Sequence, residues 1–200
     1  MDERIGDILE FWFGELDELG RARPEQRKRW WTKSEDFDAV IKSQFLGDYE
    51  AIVARDREAW RNTARGALAY IIALDQFSRN MFRGAPKMFA ADELAREACR
   101  EGLEQGFDTK LAFDERVFFY LPLEHSEDPS DQARCLDLFQ RLLEGAPEAL
   151  KEDAAYYLDF AKRHQAIIER FGRYPHRNQI LGRASTPEEV AFLEQPGSSF

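Results

Sequence analysis

The sequence predicts an all-α protein of about eight helices, and three observations carry that prediction. Apolar residues recur at the three- and four-residue spacing of a helical face in almost every segment. No stretch alternates with the two-residue period of a strand, and glycine or proline stands where the periodic runs break. Two hundred residues suit one compact domain, read as residues 1–194 with a frayed tail at 195–200. A chain of that length buries roughly seven-tenths of its unfolded surface, enough for a core without disulfide or metal staples.

The elements follow in order. Ile5, Ile8, Leu9, Trp12 and Phe13 line one helical face, and Gly14 stops it. Residues 15–34 are polar and basic, interrupted by Gly20 and Pro24, and read as a loop carrying Trp30 and Trp31. Ser34 caps a second helix, with Glu35 and Asp36 in its first turn and a stripe of Phe37, Val40, Ile41, Phe45, Tyr49, Ile52 and Val53. From Gly66 to Phe77 the run GALAYIIALDQF is apolar nearly all round, which marks an enclosed central helix. Gly84 and Pro86 break the chain after it. A fourth helix, Ala90 to Gln105, carries a small-residue stripe, and a short fifth runs from Asp114 to Tyr120 and ends at Pro122. Asp128-Pro129 opens a sixth helix closed by Gly145, and Pro147 starts a long seventh that ends at Gly172. Thr186-Pro187-Glu188-Glu189 forms a capping box for the last.

Composition excludes several classes. Asp plus Glu number 38 against 28 Lys plus Arg, a net charge of −10, which argues against a DNA-binding surface. The acidic opening lacks the basic and apolar regions of a secretory signal. The longest apolar run, Ala67 to Leu74, is far short of the roughly 18 residues that cross a bilayer. Cys99 and Cys135 sit at buried-looking helical positions and make neither a disulfide framework nor a metal motif, so a reducing cytoplasm is expected. Nucleophile-elbow, phosphate-loop, dinucleotide and zinc signatures are missing, and neither a metal nor a cofactor is expected.

The charge is unevenly spread. Between Glu58 and Asp92 the sole acid is Asp75, against Arg61, Arg65, Arg79, Arg83 and Lys87. Between Glu169 and Glu188 there is no acid, against Arg170, Arg173, Arg177, Arg183 and His176. Arginine predominates over lysine, twenty-one to seven. Its planar fork binds carboxylate or phosphate through two parallel bonds, so two acid-free, arginine-dense segments suggest a local anion site. Structural ion pairs and bonds to helix-terminal carbonyls account for the same pattern. The three histidines divide similarly. His125, beside Glu124, Glu127 and Asp128, suits acid–base chemistry, although Asp128 and Ser130 also suit a helix cap. His176 can donate to an anion, and His164 lies on or beside an apolar stripe, where a bonded core histidine is expected.

Four motifs, ILEFWFG at 8–14, LDQFSRNMFRG at 74–84, LPLEHSED at 121–128 and FGRYPHRNQILGRAST at 171–186, together resemble the DUF924 family of uncharacterised bacterial and eukaryotic proteins. The resemblance runs from about Ile8 to Leu193 with the motifs in the family's order. It implies a tetratricopeptide-like, α-α superhelical arrangement of antiparallel helix pairs, although no period of about 34 residues is visible. It implies no established activity. The motif residues include Trp12, Phe13 and Gly14; Asp75, Gln76, Arg79, Asn80 and Arg83; His125, Glu127 and Asp128; and Arg173, Pro175, His176, Arg177, Asn178 and Arg183.

Two functions follow as expectations. In one, Asp75, Gln76, Arg79, Asn80, Arg83, Arg173, His176, Arg177, Asn178 and Arg183 bind a small carboxylate or phosphate, with His125 and Glu127 as an acid–base pair. In the other, a helical groove grips an acidic peptide or a C-terminal carboxylate, with Trp12, Trp30 or Trp31 as anchors. Neither involves DNA or a membrane.

Overall fold

A computed structural model describes residues 2–198. It contains ten α-helical segments among those residues: α1 (Glu3–Phe13), α2 (Pro24–Trp30), α3 (Glu35–Val53), α4 (Ala64–Ile71), α5 (Ser78–Met81), α6 (Asp92–Glu104), α7 (Phe113–Glu124), α8 (Pro129–Gly145), α9 (Lys151–Phe171) and α10 (Pro187–Leu193). Short 3-10 turns connect several of them. No strand forms among the described residues; one isolated bridge joins Leu16 and Ala22. The all-α prediction holds, and no helix there is long and apolar enough to cross a membrane.

The capping residues sit where the sequence puts them. Ser34 accepts from Phe37 N at α3, Asp128 from Ser130 N at α8, and Thr186 and Glu189 complete a reciprocal capping box at α10. Gly172 ends α9 in the left-handed conformation, φ 67°, which its missing Cβ permits.

Three expectations need correction. The presumed loop at 15–34 contains helix α2, because Pro24 lies at a first-turn position, where its absent N–H is not needed, and starts the helix instead of breaking it. Only Trp30 of that helix is buried, so it shows no apolar stripe. Pro122 does not end the fifth predicted helix: α7 continues to Glu124, since a proline near the last turn removes a single ladder bond while Phe118 to Leu121 and Leu123 are buried. Finally, the central helix is not uniform. It runs α-helical as α4, widens into a π-helix over Ile72–Phe77, and narrows again as α5. With α2, that subdivision raises the predicted eight helices to ten segments.

The chain divides into two compact units, one formed by residues up to Arg83 with Lys87–Pro122, the other by Gly84–Pro86 with the residues from Leu123 onward. The first unit has an aromatic core. The Phe118 ring stands edge-on to Trp12, Phe13 and Trp30 at centroid distances of 5.5, 5.5 and 4.6 Å. Edge-to-face contacts of this kind add to the area term of burial. The Trp30 indole N–H also donates to Trp12 O at 2.8 Å, fixing α2 on the end of α1. Gly102 of α6 approaches so closely that a Cβ would lie 2.5 Å from the Phe119 ring.

In the second unit α8 and α9 form a helical hairpin. Cys135, Phe139 and Leu142 of α8 are buried, as are Ala154, Tyr157, Leu158 and Ala161 of α9, with the Phe139 and Tyr157 rings stacked at 6.4 Å. Ile167, Ile168 and Tyr174 make a satellite core covered by Phe171 and Phe192. Of the tail at 195–200, residues 195–198 turn back on α10, Ser198 Oγ donating to Leu193 O at 3.1 Å, and 199–200 lie outside the described residues.

Candidate functional site

The motif residues fall into two groups, one in each unit. In the first, Asp75 and Gln76 lie inside the π-helical segment and are buried. A π turn pairs each carbonyl five residues on, so polar side chains can reach carbonyls that an α-helix would close with backbone N–H groups. That happens here. Arg79 donates to Asp75 O at 2.7 Å and Asn80 Nδ2 to Gln76 O at 2.8 Å. The Arg79 guanidinium also meets Asp75 Oδ1 at 3.0 Å and grips Asp92 through two bonds of 3.0 and 3.1 Å. Gln76 Nε2 donates to Asp75 Oδ2 at 2.6 Å. Arg83 makes a two-point contact with Asp38 of α3, at 2.7 and 2.9 Å, and reaches Asn80 Oδ1 at 3.0 Å. The DQFSRN motif therefore fastens a widened turn to α3 and α6 through bidentate ion pairs.

The second group is built on the α7–α8 connection, α9 and the turn-rich stretch after it. Glu127 accepts two bonds from Arg183, at 2.7 and 2.9 Å, and one from Tyr174 N at 2.8 Å. Burial pushes its carboxyl upward, but the Arg183 bonds, the Tyr174 N–H and the nearby Arg177 charge outweigh that and hold it below the usual range. Arg173 grips Glu189 at 2.6 and 2.8 Å; this bond, with the Thr186 N–H, outweighs desolvation and lowers the Glu189 carboxyl to about 2. Asn178, fully buried, donates to Ser185 Oγ and accepts from Arg183 Nε, both at 3.0 Å. Both motif asparagines thus bond within the protein.

Between these clamps lies Tyr174, with no exposed surface. Its hydroxyl donates to Glu124 O and accepts from Gln132 Nε2 at 2.9 Å, and burial raises its pKa far above the ordinary phenol. Arg177, also buried, lays its guanidinium over the Tyr174 ring at 4.5 Å. His164 meets the same ring edge-on at 5.7 Å, His176 lies 5.6 Å from it, and His125 lies 6.3 Å from His164. All three histidines of the chain are therefore linked in one cluster with Arg177.

His164 is the member that the sequence reading placed in the core, and it is buried as expected. Its Nδ1 lies 2.9 Å from Phe160 O, and a carbonyl only accepts, so Nδ1 carries the proton; the Glu124 carboxylate is 3.5 Å from the same nitrogen. Burial depresses its pKa to about 3; the bond to Phe160 opposes this, while His125, His176 and Arg177 press in the same direction. The ring is neutral at ordinary pH and sits in a field of concentrated positive charge. Its place in the cluster is invisible in the sequence because His164 sits on the α9 stripe between Ala161 and Ile168, far along the chain from the other two. Among the described residues no group of three or more His, Cys, Asp or Glu side chains could hold a metal ion, and both cysteines are buried thiols.

Relatives give the arrangement a family setting. A protein of unknown function from Agrobacterium tumefaciens, of solved structure, is 38% identical over 96% of this chain and 97% of that one, with a TM-score of 0.82. No curated protein matches. The family pattern described as a bacterial protein of unknown function, DUF924, matches residues 8–197, a span that includes both groups of motif residues, and on that match the chain belongs to the DUF924 family.

Proposed function

We propose that the second unit binds a small carboxylate or phosphate ligand at the cluster of His125, His176 and Arg177, over a floor of Tyr174 and His164. One observation carries the reading: every histidine of the chain gathers with a buried arginine around a single tyrosine. Structural arginines need carboxylates, and Arg173 and Arg183 have them in two-point geometry. A concentration of cationic and cation-capable groups is instead relieved by an incoming anion, which accepts charge-assisted bonds from guanidinium and imidazolium together. In this reading His125 is the group placed for proton transfer, and Glu127, held ionised by Arg183, fixes the segment that carries it. Arg79, Asn80 and Arg83 then secure the π-helical turn of the first unit.

A thermal-melt series against phosphate monoesters and mono- and dicarboxylates tests this. A ligand at a hundred times its dissociation constant adds about 2.7 kcal/mol of stability, which raises the melting temperature by several degrees in a protein of this size. One anion class should shift the wild-type protein, and the shift should vanish in Arg177→Gln and His176→Asn while persisting in Arg83→Gln. Equal shifts in all three variants would place the ligand elsewhere. No shift from any anion class would leave the cluster a structural one.

A further inference from the structure

Helix α2 and the turn behind it gather cations that the rest of the molecule does not neutralise. Arg21 pairs with Asp17, Arg23 with Glu15 and Arg27 with Asp114. Lys28, Arg29 and Lys33, by contrast, are exposed, and among the described residues none of the three forms an ion pair. Arg29 only touches Gln26 Oε1, at 3.4 Å, and lies over the Phe37 ring. The helix dipole favours Lys28 and Arg29 at a C-terminus. It gives no reason for Lys33, nor for what stands among the three.

That feature is Trp31, 53% exposed, whereas Trp12, Trp30 and Trp60 are buried. One face of its indole stacks on Phe118, at 5.8 Å and 11° from parallel, and Trp30 stands edge-on beside it at 6.5 Å. The supporting rings belong to the core, so the platform is rigid before any partner arrives. A large apolar surface left in water beside three unpaired cations has the make-up of an interface centre, where tryptophan and arginine dominate binding.

We propose that this surface docks an acidic segment of a protein partner, whose carboxylates meet Lys28, Arg29 and Lys33 while an apolar side chain covers Trp31. Charge complementarity selects this occupant. Three cations match a segment with two or three carboxylates. A nucleic-acid strand or an anionic lipid surface would face the repulsion of a molecule of net charge −10. Three phosphate contacts are also well short of the roughly six to ten that give nucleic-acid binders their affinity.

The test is a random peptide library displayed on phage, selected on the full chain and counter-selected on the triple variant Lys28→Glu, Arg29→Glu, Lys33→Glu. These side chains carry no ion pairs, so the variant should melt as wild type does, and a folded Lys28→Gln, Arg29→Gln, Lys33→Gln protein replaces it if it does not. Selected peptides should join two or more carboxylates to an apolar residue and bind at least about tenfold more weakly to the variant and at high salt. Binding should shift the tryptophan emission to the blue, and Trp31→Ala should abolish that shift. The proposal is overturned if the selected sequences show no acidic bias or bind both proteins equally. It is overturned too if oligothymidylate or phosphatidylserine vesicles bind more tightly than any selected peptide.

Discussion

The two arginine-rich, acid-poor stretches of the sequence, 74–84 and 171–186, have similar compositions and different fates. In the first, Arg79 and Arg83 both close on carboxylates from other helices, Asp92 and Asp38. In the second, Arg173 and Arg183 do the same with Glu189 and Glu127, while Arg177 lies over Tyr174 in company with three histidines. A shortage of acids along the chain is thus not a shortage in space, because acids arrive from segments tens of residues away. Arginine density alone indicates a lattice of ion pairs. What distinguishes a candidate site is cationic groups converging on one another.

Substitution should widen that contrast. The largest effect is expected from Arg79→Ala, which strands the buried Asp75 carboxylate and releases Asp92. Breaking such a pair costs about 3 kcal/mol, a fall of roughly 6–12 °C in melting temperature. A fall of a degree or two would show that the first stretch is not held by this lattice.

Acid should act next, and on the second unit, which contains every histidine. The folded pKa of His164 lies near 3, below its unfolded value of about 6.5. Its contribution to stability is therefore complete above about pH 6.5 and shrinks as pH falls, by about 2 kcal/mol at pH 5. Urea midpoints measured at both pH values should record that loss, and His164→Asn, which keeps a donor toward Phe160 O, should flatten it. An unchanged pH slope in the variant would remove His164 as its source.

A smaller loss, about 1 kcal/mol, is expected from Thr186→Ala, which opens the capping box that orients Glu189 toward Arg173. Denaturant unfolding reads it directly. Smallest of all is Arg83→Ala. Its pair with Asp38 lies at the surface, so the change should cost less than about 1 kcal/mol in the same experiment. A larger loss would make Arg83 as structural as Arg79 and erase the gradient within the first stretch.

Much of the fold is legible because helices advertise themselves through caps and apolar stripes. Ser34, Asp128, Gly172 and the Thr186–Glu189 box all end or begin helices where their chemistry requires. Helix α2 escapes because one buried residue, Trp30, makes no stripe, and Pro122 misleads because burial overrides a lost bond. The motif arginines are visible as a composition, yet their partners are not, since Asp38 lies 45 residues from Arg83 and Glu127 lies 56 from Arg183. His164 needed three dimensions. Its neighbours along α9 describe a core residue, and only the fold brings it beside His125.

The widened turn at Ile72–Phe77 has a consequence for chain length. A π turn absorbs one residue more than the α turn it replaces, about 100° of rotation that would otherwise swing everything downstream to a new face. The helix can therefore hold a surplus residue while the segments before and after it keep their partners. A chain shortened by one buried position there, Ala73 for instance, should regain an unbroken helix with little disturbance of α4 or α5. In that shorter helix backbone N–H groups would close the carbonyls of Asp75 and Gln76, and the side chains of Arg79 and Asn80 would lose the acceptors they now share. On this view the motif is the signature of an insertion, kept in place by the polar residues that follow it.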